Sequence, residues 1–286
     1  MQIAFLAILF IVGACLGSFL CCQARRLHLR TAEPVRPTKP TKATKSKSAK
    51  SPIRLGKRSV CLHCGYQLKW YDNLPLISWL VLKGKCRKCG KKIGLAELLS
   101  EFGVGLAFLT FGLGLQFRGI TLEIMLDSQP LITWLSLATM LLVFIPLLAF
   151  LAIYDGLYGQ LPTLYLTFSI ICAIIIITLR EWASFSNLAT LGQHLVDLLF
   201  AFLILGGLYF VLYKVSKGKW VGDGDWLLGT ALALALGTPW LALLTLFIAN
   251  FLACLVMLPT LKRNKTHQIY FGPFMVIAFI IVSSFF

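Results

Sequence analysis

Apolar residues in this chain come neither in alternation nor at the three-to-four spacing of an amphipathic helix, but in long unbroken runs. Eight of them, at about 1–22, 96–117, 131–153, 161–179, 195–213, 226–237, 239–261 and 268–286, approach or reach the ~20 residues that cross a bilayer core. The sixth is the shortest. The pattern predicts an all-α polytopic integral membrane protein of about eight transmembrane helices.

One long polar stretch, 23–95, separates the first run from the second. Its part 31–57 is rich in Lys, Pro, Thr and Ser and nearly free of large apolar residues. Such a segment cannot bury enough surface to fold, and it reads as a disordered basic tether. The expected organisation is therefore a first transmembrane helix (1–22), a loop (23–95) holding the tether and a small module at 58–92, and a seven-helix membrane core (96–286).

Composition sharpens this reading. Charged residues are 13% of the chain and hydrophobic ones 58%, against about 25% charged in soluble domains, so a soluble globular protein is excluded. The net charge of +16 could suggest nucleic acid, but 19 of the 27 Lys and Arg lie between Arg25 and Lys92. No Lys or Arg precedes Arg25, so the start lacks the basic region of a cleaved signal peptide and reads as an anchor. Threading eight spans with the amino terminus outside leaves only Arg118 and Arg180 in outer loops, as the positive-inside rule requires. Membrane lipid is an expected partner and nucleic acid is not.

Within the module, Cys61-Leu-His-Cys64 and Cys86-Arg-Lys-Cys89 each end on a glycine, Gly65 and Gly90. Two such knuckles supply four thiolates for a tetrahedral zinc, and glycine permits the tight turn behind each pair. A closed shell of Cys61, Cys64, Cys86 and Cys89 makes that zinc structural, with His63 a bystander. Basic ribbons also bind partners or nucleic acid, which leaves a second class of function open: a non-catalytic membrane scaffold.

Acidic residues number only 11, and an acid beside a membrane helix is costly enough to suggest function. Asp155 follows the third run, and Asp225 opens the sixth in Gly222-Asp-Gly224-Asp225. The predicted topology puts both at inner helix ends. Two carboxyls brought together can divide the work of peptide hydrolysis, one donating a proton and the other activating water. Gly222 and Gly224 would let an extended peptide approach the backbone. The same residues admit a plainer reading, with Asp225 capping its helix and Asp155 a solvated boundary acid, and spacing does not separate Asp225 from its neighbour Asp223.

Taken together, these motifs resemble the type IV prepilin peptidase family. The resemblance rests on Gly17-Ser-Phe-Leu20 and Arg26, both cysteine pairs, Trp70-Tyr-Asp-Asn-Leu-Pro-Leu-Ile-Ser-Trp79 between them, Ala96-Glu97-Leu98-Leu99, the stretch from Asp155 to Pro162, Gly222 to Asp225, and Tyr270-Phe-Gly-Pro273-Phe. It implies that Asp155 and Asp225 are paired catalytic aspartates cutting the leader of prepilins or pseudopilins after a Gly, at the cytosolic face of a bacterial inner membrane. It also implies N-methylation of the new amino terminus from S-adenosylmethionine, with the inner loop and its metal involved. Glu97 matches a family position and is expected either to contact substrate or donor or to stabilise a helix start. Cys21, Thr163 and Leu227 stand where the family's pattern usually has polar residues, so a peptidase without methylation is a third possibility.

Overall fold

The computed structural model describes residues 2–31, 59–61, 63–119, 131–184, 188–218, 221–261 and 270–286; the tether expected at 31–57 lies, apart from Thr31, outside the described residues. Each of the eight apolar runs contains a helix. Among the described residues, six helices are long and apolar enough to span a bilayer, and the chain is a multi-pass membrane protein.

The first helix, α1 (Gln2–Thr31), carries Arg25, Arg26, His28 and Arg30 on a continuation past the apolar run that was expected to end at 22. A short helix, α2 (Ile77–Val81), lies in the polar module. Next, α3 (Leu95–Phe117) packs along α1 through glycines. A Cβ on Gly13 would fall 2.7 Å from the Val104 carbonyl, and one on Gly17 would collide with the Ser100 carbonyl. From the other side, Gly105 receives Phe10, and a Cβ on Gly112 would lie 2.5 Å from Leu9. Small residues let two membrane helices approach until their backbones touch, and the gain is dispersion because lipid supplies no hydrophobic drive.

Helix α4 runs through Leu131–Thr139, a π-helical turn Met140–Phe144, and Ile145–Tyr158. Pro146 explains the π turn: it has no N–H to return to the preceding turn, and its ring would press on that turn's carbonyl, so the backbone widens just before it. The helix ends at Gly159, in the left-handed region (φ 65°), whose N–H bonds the Asp155 carbonyl at 2.7 Å. Asp155 therefore lies inside the helix, one turn from its end, whereas the apolar pattern had placed it in the following loop. Polarity marks where lipid ends, and this helix continues past that point.

Helix α5 is Thr163–Ser184. Helix α6 runs through Leu188–Phe202, a π-helical turn Leu203–Gly207 and Leu208–Ser216. Then come α7 (Asp223–Leu236), α8 (Pro239–Leu261) and α9 (Gly272–Phe285).

With 14 residues, α7 is about 21 Å long, too short to span the ~30 Å core unaided. It has no need to, because α5, α6, α8 and α9 all pack on it. Gly224, Leu228, Gly229, Ala231, Leu232, Ala233, Ala235 and Leu236 are buried along it. Gly229 admits the Leu205 carbonyl of α6, and Gly206 admits Thr230. At the far end, Arg180 donates to the Leu236 carbonyl at 3.0 Å, capping α7 from the end of α5.

Candidate active site

Asp155 and Asp225 come together from opposite helix ends. Asp155 sits in the last turn of α4 and is 5% exposed; Asp225 sits in the first turn of α7 and is 9% exposed. They are close enough to interact electrostatically. Asp223, the rival in sequence, points to solvent.

Each carboxylate is fixed by one backbone amide. Gly222, the residue before α7, donates its N–H to Asp225 Oδ2 at 3.0 Å, closing half of a capping box. Asp225 thus does serve its helix end, as the plainer reading held, while remaining buried beside a second acid. Asp155 Oδ2 accepts the N–H of Gly272 at 3.0 Å, from the start of α9, 117 residues away. A Cβ on Gly272 would fall 2.7 Å from that same oxygen, so only glycine brings this amide to the carboxylate.

The flanking glycines of the Gly-Asp-Gly-Asp motif differ. Gly222 is exposed, and a Cβ there would meet only Asp225 Oδ2, at 3.5 Å. At Gly224 the space a side chain would need is filled by Leu161, whose Cβ would lie 2.6 Å away. Gly224 seats α7 against the loop after α4 and so sets the approach of the two aspartates. Around them are the Phe271 ring and the buried Tyr209, with ring centroids 5.4 Å apart.

The sequence offered Tyr270-Phe-Gly-Pro273-Phe only as one of the motifs behind the resemblance, and in the structure Gly272 and Pro273 open α9. It missed the amide that Gly272 offers Asp155, and it missed Tyr209 altogether. Their one signal was a Gly-Pro step beside aromatics.

The cysteine module stands over the roots of α1 and α3. Two short antiparallel bridges, Val60 with Gln67 and Lys85 with Lys92, form the two knuckles, and Gly65 and Gly90 are left-handed (φ 69° and 66°). All four Sγ atoms of Cys61, Cys64, Cys86 and Cys89 lie within 4.8 Å of one another, and Cys61 and Cys89 are 4.0 Å apart. Tetrahedral Zn–S bonds of about 2.3 Å require edges of about 3.8 Å, so the cluster fits zinc. Backbone N–H groups of Cys89 and Lys88 facing the Cys86 thiol pull it down to about 7, whereas Cys64, despite the Tyr66 amide, is pushed up to about 11 by desolvation and its neighbouring thiols, so the four thiols hold their protons unequally.

Part of the aromatic run belongs to this module. Asp72 is buried and accepts Arg87 Nε at 2.8 Å and the Lys69 N–H at 3.2 Å. Burial opposes its charge, but those donors hold its carboxyl below the ordinary range. The Arg87 guanidinium also lies over the Tyr71 ring at 5.0 Å. Trp79 packs on Gly84, while Trp70 is exposed.

Between the module and the helix roots is a cavity of about 200 Å³, lined by Ser18, Arg25, Asp72, Trp79, Glu97 and Glu101, among others. It adjoins a second cleft of about 480 Å³, which shares Ser18, Arg25 and Glu97. Glu97 Oε1 pairs with Arg25 at 2.7 Å, while Glu97 Oε2 and Trp79 Nε1 are buried without a hydrogen-bond partner among the described residues. Glu101 accepts the Leu76 N–H at 2.7 Å. One turn along α1 from Arg25, His28 stacks on Tyr158 of α4 at 3.7 Å, so the cavity and the aspartates share one end of the bundle.

Residues 11–114 match the family described as Bacterial Peptidase A24 N-terminal domain. Over 218 residues, 76% of this chain, it is 30% identical to the type 4 prepilin-like proteins leader peptide-processing enzyme of Escherichia coli O78:H11, covering 71% of that protein. A prepilin leader peptidase/N-methyltransferase of Aeromonas hydrophila is 29% identical over 227 residues, 77% of this chain and 69% of its own length. The protein of that name from Myxococcus xanthus is 36% identical over 104 residues, which are 36% of this chain and a quarter of that protein. No solved structure matches the chain. The buried aspartate pair, the four-cysteine module and these likenesses converge, and the chain belongs to the type IV prepilin leader peptidase family.

Proposed function

We propose that this protein is a membrane aspartic endopeptidase that removes the leader of prepilins or pseudopilins by cutting after a Gly at the cytosolic face of a bacterial inner membrane. The observation that carries the reading is the meeting of Asp155 and Asp225, each buried and each held by one backbone amide.

Their helix ends suggest the division of labour. Asp225 lies at an N-terminus, where the helix dipole and the Gly222 amide favour a carboxylate; Asp155 lies at a C-terminus, where added negative charge is unfavourable. Asp225 then takes a proton from water as its oxygen adds to the scissile carbonyl carbon, and Asp155 gives its proton to the carbonyl oxygen. When the tetrahedral adduct collapses, the C–N bond breaks and the amine leaves with a proton from the pair. The exposed edge at Gly222 is where the substrate backbone would lie.

The orientation follows the basic residues. Arg25, Arg26, His28 and Arg30 extend α1 at the end of the bundle that also holds the aspartates, and clustered cations belong on the cytosolic side. The amino terminus would then be outside.

The relatives' names also support N-methylation of the newly exposed amino group. S-adenosylmethionine, when bound, supplies an electrophilic methyl on a cationic sulfur. The cavity beneath the zinc module suits a ligand of that kind, since Glu97 Oε2 and Trp79 Nε1 offer it an unused acceptor and an unused donor. Zinc at Cys61, Cys64, Cys86 and Cys89 would hold that roof in place. The test is mass analysis of the mature amino terminus after incubating membranes with a Gly-junction prepilin. A cut product one methyl heavier is expected, and Glu97→Gln should leave the cut product unmethylated.

A further inference from the structure

Tyr209 is used by nothing described so far. It lies on α6 two residues after the π turn, is 3% exposed, and its hydroxyl is buried with no hydrogen-bond partner. Asn250 on α8 lies close enough to act on the phenol, but one of its Nδ2 protons goes to the Leu246 carbonyl at 2.8 Å, and among the described residues no hydrogen bond to the Tyr209 hydroxyl is closed. A buried hydroxyl left unpaired costs stability, and phenylalanine would fill the same space without that cost. Where such a group is retained, a partner that arrives only during function is a natural account.

The surroundings name that partner. Leu205 of α6 packs on Gly229 of α7, and Phe210 meets Trp226 at a centroid separation of 5.3 Å, so the two helices run antiparallel and bring Tyr209 to the level of Asp225. Its ring rests on Phe271, the residue before the Gly272 amide that holds Asp155. The Gly222 amide engages Asp225 Oδ2 only.

We infer that Tyr209 is a positioning residue for Asp225: in the substrate-bound enzyme its O–H donates a hydrogen bond to the carboxylate oxygen that Gly222 leaves free. No covalent change at the phenol is involved. The bond aligns Asp225 toward the attacking water. The π turn at Leu203–Gly207 supplies the local freedom for Tyr209 to close the remaining gap. This inference rests on the aspartic peptidase reading.

The test compares wild type, Tyr209→Phe and Asp225→Asn in a membrane assay of prepilin cleavage, with thermal stability measured alongside. Tyr209→Phe keeps the ring against Phe271 and removes only the hydroxyl. The expected outcome is a kcat lower by about 10- to 100-fold, KM within about 2-fold, and a melting temperature equal to or above that of wild type. A purely structural tyrosine would leave kcat unchanged, and kcat within about 2-fold of wild type overturns the inference, as does an effect confined to KM. If Tyr209→Phe does not accumulate, fluorotyrosine placed at 209 keeps shape and hydroxyl while strengthening the donor. A kcat that does not respond to fluorination is then the contradicting result. Failure of wild type itself to cleave would instead count against the peptidase reading.

Discussion

Asp155 and Asp225 carry the same functional group in unequal settings, and the inequality is built from single residues. Gly272 gives Asp155 an amide that a larger residue could not deliver, since a Cβ would sit 2.7 Å from the carboxylate oxygen. Gly272→Ala should therefore lower kcat by about 10-fold or more while the protein remains in the membrane, as a cleavage assay with quantified protein would show. Asp72 allows a pH prediction outside the membrane. Its carboxyl lies below the ordinary range, so its support for the cysteine module is complete above that range and is lost as pH falls through the lowered value. Proteolysis of the module across acidic pH should show that loss in wild type, whereas Asp72→Asn should lack this component and be weaker at neutral pH. Residue identity singled out the four cysteines, which the structure gathers into one cluster, and the two aspartates, which it buries together, while leaving helix caps as the alternative for the acids. It gave no sign of Tyr209 or of the Gly272 amide, since an aromatic or a glycine in an apolar run has many uses and only the packing of α6 and α9 selects one.

Helix boundaries obey two different rules, and the apolar pattern reports only one of them. Runs of Leu, Ile and Phe located every described α-helix except α2 of the polar module, because in lipid every backbone amide must be bonded within its own segment. The pattern ended α1 at 22 and α4 at 153, whereas the helices continue to Thr31 and Tyr158. These extra turns carry Arg25, His28 and Asp155, the residues that join α1 to the cavity and to the aspartates. The contact of α1 with α3 rests on small residues, so Gly17→Leu should force the pair apart, at a cost of about 1–3 kcal/mol or more. A lower melting temperature and reduced accumulation in the membrane are the expected readings. The four-cysteine cluster could hold a metal in place of a core, and that reading predicts how the module responds to metal removal. Chelation, or Cys61→Ser, should open residues 59–93 to protease while the transmembrane helices stay protected, and equal resistance with and without chelator would remove the metal from the account.

At the scale of the whole molecule, a short buried helix, α7, brings one aspartate to the end of the bundle where α4 delivers the other, and the four-cysteine module stands over the same end. On the proposed function, this arrangement would put the hydrolytic pair and the polar cavity within reach of one substrate segment. Such a design explains how cleavage and modification of the new amino terminus could share one chain. The most direct test of the central claim is cleavage of a Gly-junction prepilin by membranes carrying wild type, Asp155→Asn, Asp225→Asn or Asp223→Asn at matched protein levels. The account predicts a loss of about 1,000-fold or more for Asp155→Asn and Asp225→Asn, with Asp223→Asn close to wild type. Cleavage surviving in either of the first two, or lost equally in the third, would contradict it.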